Sequence, residues 1–295
     1  MTTHPFLQAD AFTDRPLGGN PCAIVFDCPE LDDGTLLAIA REMNLSETSF
    51  VWKQADGTFR ARYFTPAGEI PLAGHPTIAT VHALVETGRL ALPGDSLKIP
   101  LELRDGPIEV EIHGHAGKVE RVVMSQRKPQ FLRTYAPEQV LPVFGLEPSD
   151  LLPGTLIQTV STGTPQLFVP IRDLETLRRA LTDQAKYAVL QRDGDFFSSH
   201  LFCLQGVERG RTFARHFALL PDIVEDPFTG SATGGMAAYL WHYGLIDSPS
   251  FLAEQGHWMS RPGIATVEVV GPPQDIQTVK VGGGAVSVLR GELTI

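Results

Sequence analysis

The sequence predicts an α+β protein made of two similar halves, and three observations carry that reading. A stretch occurs twice: residues 61–80 and 214–233 share Ala61 with Ala214, Arg62 with Arg215, Phe64 with Phe217 and Thr80 with Thr233, each pair 153 positions apart. Each copy begins as a strand, passes through a polar turn and opens a helix. The helices so opened, at 77–87 and 229–243, are apolar or small on nearly every side, which marks a helix buried in a core. A repeat of so long a period means a duplicated fold and not a solenoid.

The elements follow in order. Residues 6–12 and 21–26 read as strands joined by a turn through Gly18-Gly19-Asn20. Asp32 and Asp33 start a helix whose apolar positions Leu36, Leu37, Ile39, Ala40 and Met43 keep helical spacing, and Asn44 ends it. Ser46-Glu47-Thr48-Ser49-Phe50 is the edge of a further strand, with one acid among small hydroxyl residues. Residues 58–64 alternate as a strand should, and Pro66-Ala67-Gly68 breaks them. After Gly74-His75-Pro76 comes the first apolar helix, which Gly88 stops. Strands at 97–103, 107–113 and 118–125 complete the first half. The proline- and turn-rich segment 127–153, with a short helix near 137–145, is the crossover. Residues 161–169 then echo 18–26, a helix at about 173–183 answers the one at 32–43, and the helix at 229–243 ends before Gly244. Strands near 264–270 and 276–290 close the chain.

Composition limits the function. The chain has 295 residues, of which 43% are hydrophobic and 20% charged, as in ordinary globular proteins. A net charge of −10 and the lack of a basic run argue against a nucleic-acid partner. No window approaches the roughly 18 apolar residues of a membrane span, and no leader pattern opens the chain, so a cytoplasmic setting is expected. The three cysteines, Cys22, Cys28 and Cys203, form neither an even disulfide set nor a metal knuckle, and read as buried apolar residues. His82, His242 and His257 have no partners at metal-ligand spacing, and there is no phosphate-binding glycine motif at a strand-to-helix junction, so neither metal nor nucleotide cofactor is expected.

The chemistry concentrates at the two corners, Gly74-His75-Pro76-Thr77 and Asp226-Pro227-Phe228-Thr229-Gly230-Ser231. A helix N-terminus offers unpaired N–H groups and the positive end of the helix dipole, a receptor for a carboxylate or enolate oxygen. His75 can act as general acid or hydrogen-bond donor, or simply cap and pack its helix. Asp226 can hold a histidine or a substrate hydroxyl, or be an ordinary aspartate at a helix start. Glu47 can carry a proton if its pocket is apolar, or be a solvated acid at a strand end. Taken singly, each has an ordinary structural reading. The matched corners shift the balance toward a site.

Together Gly19-Asn20-Pro21, Ser46-Glu47-Thr48-Ser49-Phe50, Ala73-Gly74-His75-Pro76-Thr77 and Glu225-Asp226-Pro227-Phe228-Thr229-Gly230-Ser231-Ala232 resemble the PhzF-like family of phenazine-biosynthesis isomerases, within the diaminopimelate epimerase-like fold. The resemblance implies two pseudo-symmetric domains, each a mixed sheet curled into a barrel around a central helix. They would span 1–127 with a C-terminal strand at about 280–295, and 128–279, with the active site in the cleft between them. It implies that Glu47 is the acid–base residue, that His75 and Asp226 bind and polarise the substrate, and that Gly74, Gly230 and Ser231 contact its carboxylate. It further implies an isomerase that needs no cofactor or metal, acts on a small carboxylate-bearing substrate such as the trans-2,3-dihydro-3-hydroxyanthranilate of the family's namesake, and forms a homodimer. Two other functions fit the same corners: a carboxylate-based racemase or epimerase of an amino or hydroxy acid, and a non-catalytic small-molecule binding protein. The two-thiol mechanism of some relatives in the fold needs a cysteine at each corner, and this chain has none there.

Overall fold

The computed structural model describes residues 1–220 and 223–295, so Pro221 and Asp222 of the second repeat copy lie outside the described residues. The chain divides into two compact units, one of residues 1–125 with 282–295 and one of residues 126–281. Both combine a mixed sheet with few helices. Among the described residues no helix is long and apolar enough to cross a membrane.

The first unit holds β1 (Thr3–Ala11), β2 (Asn20–Phe26), α1 (Asp33–Met43), β3 (Glu47–Lys53), β4 (Phe59–Phe64), β5 (Glu69–Ile70), α2 (Gly74–Glu86), β6 (Ser96–Leu103), β7 (Gly106–His115) and β8 (Lys118–Ser125). Asp32 caps α1 by accepting from the Thr35 N–H, and Asn44 ends it in the left-handed conformation that asparagine tolerates. β1 pairs antiparallel with β2, β2 parallel with β3, β3 antiparallel with β4, β4 parallel with β6, and β6–β7–β8 form an antiparallel meander. α2 packs on β1, β2, β3 and β8. Nearly all its residues are buried, including Ile78, Val81 and Leu84, and the three threonine and histidine side chains it buries need partners. Thr80 Oγ1 donates to Ser49 Oγ at 2.7 Å, and Thr77 Oγ1 donates back to the Ala73 carbonyl at 2.8 Å.

The second unit holds β9 (Gln130–Tyr135), α3 (Pro137–Val140), β10 (Ile157–Ser161), β11 (Pro165–Pro170), α4 (Leu174–Arg179), α5 (Gln184–Arg192), β12 (Ser198–Cys203), β13 (Thr212–Phe217), β14 (Glu225–Asp226), α6 (Gly230–His242), β15 (Ser250–Gln255) and β16 (Gly263–Val270). β17 (Thr278–Gly283) follows, and β18 (Ala285–Thr294) belongs to the first unit, where it pairs antiparallel with β1. The pairings repeat those of the first unit: β10 antiparallel with β11, β11 parallel with β12, β12 antiparallel with β13, β13 parallel with β15, β15 antiparallel with β16. α6 packs on β10, β11 and β16. Gly235 lets Phe168 lie against the helix, since a Cβ there would stand 2.5 Å from the ring.

Two expectations change. Among the described residues the sheet does not close into the expected barrel. β18 turns Leu289, Arg290, Gly291 and Glu292 to solvent, and an edge carrying charges resists further pairing. The helix expected at 173–183 is shorter, α4 ending at Arg179, and a further helix, α5, begins at Gln184. Asp173 caps the first and Asp183 the second, so the segment contains its own second start signal.

Glu254, on β15, shows how a buried acid is accommodated. Its carboxylate accepts from the backbone N–H groups of Val207 and Glu208 at 2.7 and 3.0 Å, and of Arg209 and Gly210 at 2.6 and 2.7 Å. Burial alone would raise its pKa; the four donors outweigh burial and hold it below the ordinary value. Glu254→Ala removes the common acceptor of four N–H groups and is expected to cost about 3 kcal/mol in urea unfolding. A loss below about 1 kcal/mol would show that the loop finds other acceptors.

Candidate active site

Glu47 is the first residue of β3, and His75 the second residue of α2. The parallel β2–β3 register sets Glu47 beside Cys22. His75 Nε2 lies 3.4 Å from Glu47 Oε2, the histidine 3% and the glutamate 18% exposed. Asn20 holds the other side of the ring. Asn20 Nδ2 is 3.0 Å from His75 Nδ1, and Asn20 Oδ1 accepts from Ser46 Oγ at 3.1 Å. Burial pushes His75 down to a pKa of about 3, so the ring is neutral at ordinary pH. The close approach to Glu47 is therefore that of a neutral imidazole to a carboxyl group and not a salt bridge. At 3.4 Å the pair lacks hydrogen-bond alignment, as is common for catalytic contacts before substrate arrives.

Gly74 and His75 sit within the helix, not in the turn before it, as α2 starts at Gly74. Its N-cap, Ala73, supplies no side-chain acceptor, and the first turn carries no acid. The positive end of the helix is left for something else to neutralise.

The second unit presents a related corner. Gly230 and Ser231 are the first two residues of α6, which likewise has neither a side-chain cap nor an acid in its first turn. Thr229, at the N-cap position, donates its hydroxyl to Asp226 Oδ2 at 2.5 Å instead. Gln255 fastens the turn from below, donating to the Asp226 carbonyl at 2.7 Å and accepting from the Thr229 N–H at 3.1 Å. Gln126 Nε2 donates to the Gly230 carbonyl at 2.9 Å. Gln166 Nε2 donates to Ser231 Oγ at 3.2 Å, which leaves the serine proton to be given to an acceptor.

The half-buried clamps behind the corners also match. Arg62 makes a two-pronged pair with Glu69 at 2.8 and 2.8 Å, and Arg215 does so with Glu225 at 2.7 and 2.8 Å. Thr233 Oγ1 donates to the Thr229 carbonyl at 3.0 Å, as Thr77 does to Ala73. The arginines keep the separation of 153 seen in the sequence, but the helix corners are 156 apart: Thr77, not Thr80, is the counterpart of Thr233. The difference is a longer loop between β13 and β14.

Cys22, Cys28 and Cys203 are all buried and free. Burial, with Glu47 adding to it, holds the Cys22 thiol well above its usual pKa, so it stays protonated and is a poor base. Among the described residues no group of three or more His, Cys, Asp and Glu is placed to hold a metal.

The family model for phenazine biosynthesis-like proteins matches residues 9–291. The chain belongs to that family. This phenazine biosynthesis-like protein is 32% identical, over 98% of both chains, to the trans-2,3-dihydro-3-hydroxyanthranilate isomerase of Pseudomonas aeruginosa. It is 32% identical to an uncharacterized isomerase of Clostridium acetobutylicum over 98% of this chain and 97% of the relative. A crystal structure of a PhzF-family phenazine biosynthesis protein from Bacillus anthracis superposes with a TM-score of 0.88 at 30% identity, covering 100% of both chains. With full-length relatives of this kind named as isomerases, this family member is an isomerase.

Asn20, Ser46, Gln126, Gln166 and Gln255 are the polar supports that the sequence did not single out by role. Their signal is weak in a single chain, because an amide beside a turn has many ordinary uses. Only the three-dimensional register shows that each one grips a corner.

Proposed function

We propose that the protein is a cofactor-independent isomerase that moves a proton, and with it a double bond, in a small carboxylate-bearing substrate. Glu47 takes the proton from one carbon and returns it to another. His75, neutral and with Nε2 toward Glu47, hydrogen-bonds the oxygen on which charge develops, and the uncapped end of α2 adds its N–H groups. Asp226 and Ser231 bind and orient polar substrate groups, with Gly74 and Gly230 allowing a carboxylate close to the backbone. The observation that carries the reading is the Glu47–His75 contact of 3.4 Å at an uncapped helix N-terminus. The family supports the same assignment, and trans-2,3-dihydro-3-hydroxyanthranilate is the first substrate to try.

The matched clamps and pairings support an origin by duplication, with each half a sheet wrapped on its own buried helix. A homodimer is proposed on family resemblance, to be checked by sedimentation. The cysteine positions weigh against a two-thiol epimerase.

The test is deuterium uptake from heavy water into small unsaturated and hydroxylated carboxylic acids, that substrate included. Uptake with a shifted double bond supports the isomerase; uptake with only inverted configuration replaces it with an epimerase. No uptake by any acid, with ligand-induced thermal stabilisation, would make it a binding protein. Asp226→Ala is expected to raise KM and lower kcat together, each about tenfold, because a charged hydrogen-bond partner is lost in both ground and transition states. A change in kcat alone would move Asp226 from binding to chemistry.

A further inference from the structure

Asn20 is buried completely, at the first position of β2, directly after Gly19. Gly19 has φ +50, and a Cβ on it would come within 2.0 Å of the Ala11 carbonyl oxygen, so only glycine permits the chain to enter β2 along this path. The residue that follows is thus delivered to a fixed place. Its amide is held at both ends: Ser46 Oγ donates to Oδ1 at 3.1 Å, and Nδ2 lies 3.0 Å from His75 Nδ1.

With Nδ2 turned to the ring and Oδ1 to the serine, the order of donors and acceptors is fixed. With Oδ1 occupied by the serine proton, the amide presents N–H to His75, and an amide nitrogen only donates. Nδ1 must then be the acceptor, and in a neutral ring the proton resides on Nε2. Nε2 is the atom 3.4 Å from Glu47 Oε2.

We propose that Asn20, oriented by Ser46, is a positioning residue that fixes the tautomer of His75, so that an N–H and not a lone pair faces Glu47 and the substrate. The other tautomer would set a nitrogen lone pair against the carboxylate and remove the donor that stabilises the developing charge. The relay runs Ser46 O–H to Asn20 Oδ1, Asn20 N–H to His75 Nδ1, and His75 Nε2–H into the site. Its ends are adjacent in sequence, since Ser46 directly precedes Glu47. A shift of the β3 edge therefore moves the carboxylate and the residue that orients its partner together. The role of this relay in turnover rests on the isomerase reading above; the tautomer does not.

The test is ¹⁵N NMR of the histidines, with His75 assigned by its loss in His75→Gln. In the wild type His75 Nε2 should give the protonated-nitrogen signal and Nδ1 the unprotonated one. Asn20→Asp replaces the donor with an acceptor and should transfer the proton to Nδ1, or protonate both nitrogens, while kcat falls roughly 10- to 100-fold with KM little changed. Ser46→Ala, which leaves Asn20 in place, should give a mixture of the two signals and an intermediate rate. A wild-type His75 protonated on Nδ1 would overturn the proposal, and so would an unchanged spectrum in a folded Asn20→Asp. The wild-type spectrum decides even if the variants fail to fold. A spectrum as expected together with no deuterium uptake in any acid would leave the tautomer assignment standing and defeat the isomerase reading alone.

Discussion

Glu47→Gln is expected to lower kcat by about 10²–10⁴-fold, the range that general acid–base catalysis contributes. The substitution keeps size and hydrogen-bonding reach but removes the ability to accept and return a proton near neutral pH. Binding should change little, because the groups assigned to hold the substrate, the two helix ends with Asp226 and Ser231, are untouched. The variant should keep the wild-type melting temperature, since the glutamate is part-exposed at the beginning of β3 and makes no salt bridge with the neutral His75. Single-turnover kinetics beside a binding measurement separate the two effects. Full activity in Glu47→Gln would remove the glutamate from the chemistry and return the search to His75.

Acid should unfold the protein well before its carboxylates are titrated. His75 and His82 in the first unit, and His200 and His216 in the second, all have pKa values lowered by burial. For His82 the neighbouring Glu86 works against burial. In the second unit the rings lie with Nδ1 atoms 3.2 Å apart, so a charge on His216 further disfavours one on His200. A histidine whose folded pKa is depressed binds a proton in the unfolded state first. Its stabilising contribution is complete above the unfolded value near 6.5 and is lost as pH falls toward the folded one, about 3 for His75 and His216. Each of these two groups removes about 1.4 kcal/mol per pH unit in that window, and His82 and His200 add in the same direction. By pH 4.5 His75 and His216 have each removed about 2.7 kcal/mol, and together about 5, the low end of the whole stability of a domain. Urea unfolding from pH 7.5 to 4.5 should show this slope, and His216→Gln should flatten it by about one proton. A slope below one proton per molecule would mean that these rings find water or charge when the structure breathes. The carboxylate of Glu254, with its lowered pKa, contributes in the same direction but at lower pH.

Those histidines also show what a sequence conceals. His200 and His216 stand at strand positions that look like any others in a half-polar strand. Their burial depends on the sheet register that pairs them, and register is set by contacts distant in the chain. Helix ends were more legible: Asp32 and Asn44 bound α1 because capping is local. α2 starts three residues before the sequence suggests, since Pro76 reads as a break although proline is well tolerated in a first helical turn. β12 and β15 give little sequence signal, being short runs without clear alternation. At the site, the residue types Glu47, His75 and Asp226 were visible from motif and repeat. The amides that hold them were not, because a glutamine on one strand gives no hint of which distant backbone it will meet.

The paired arginine clamps carry a consequence for how such a protein can vary. Arg62 and Glu69 are seven positions apart and Arg215 and Glu225 ten, yet both close with the same two-pronged geometry. Lengthening a closed loop from seven to ten residues costs only about 0.3 kcal/mol in chain entropy. The clamp therefore acts as a collar that isolates the corner from whatever is threaded above it. Insertions in the loop between β13 and β14 can accumulate without moving the helix end. That gives evolution, or an engineer, a cassette in which to rewrite the outer wall of the protein while the inherited proton chemistry stays in place.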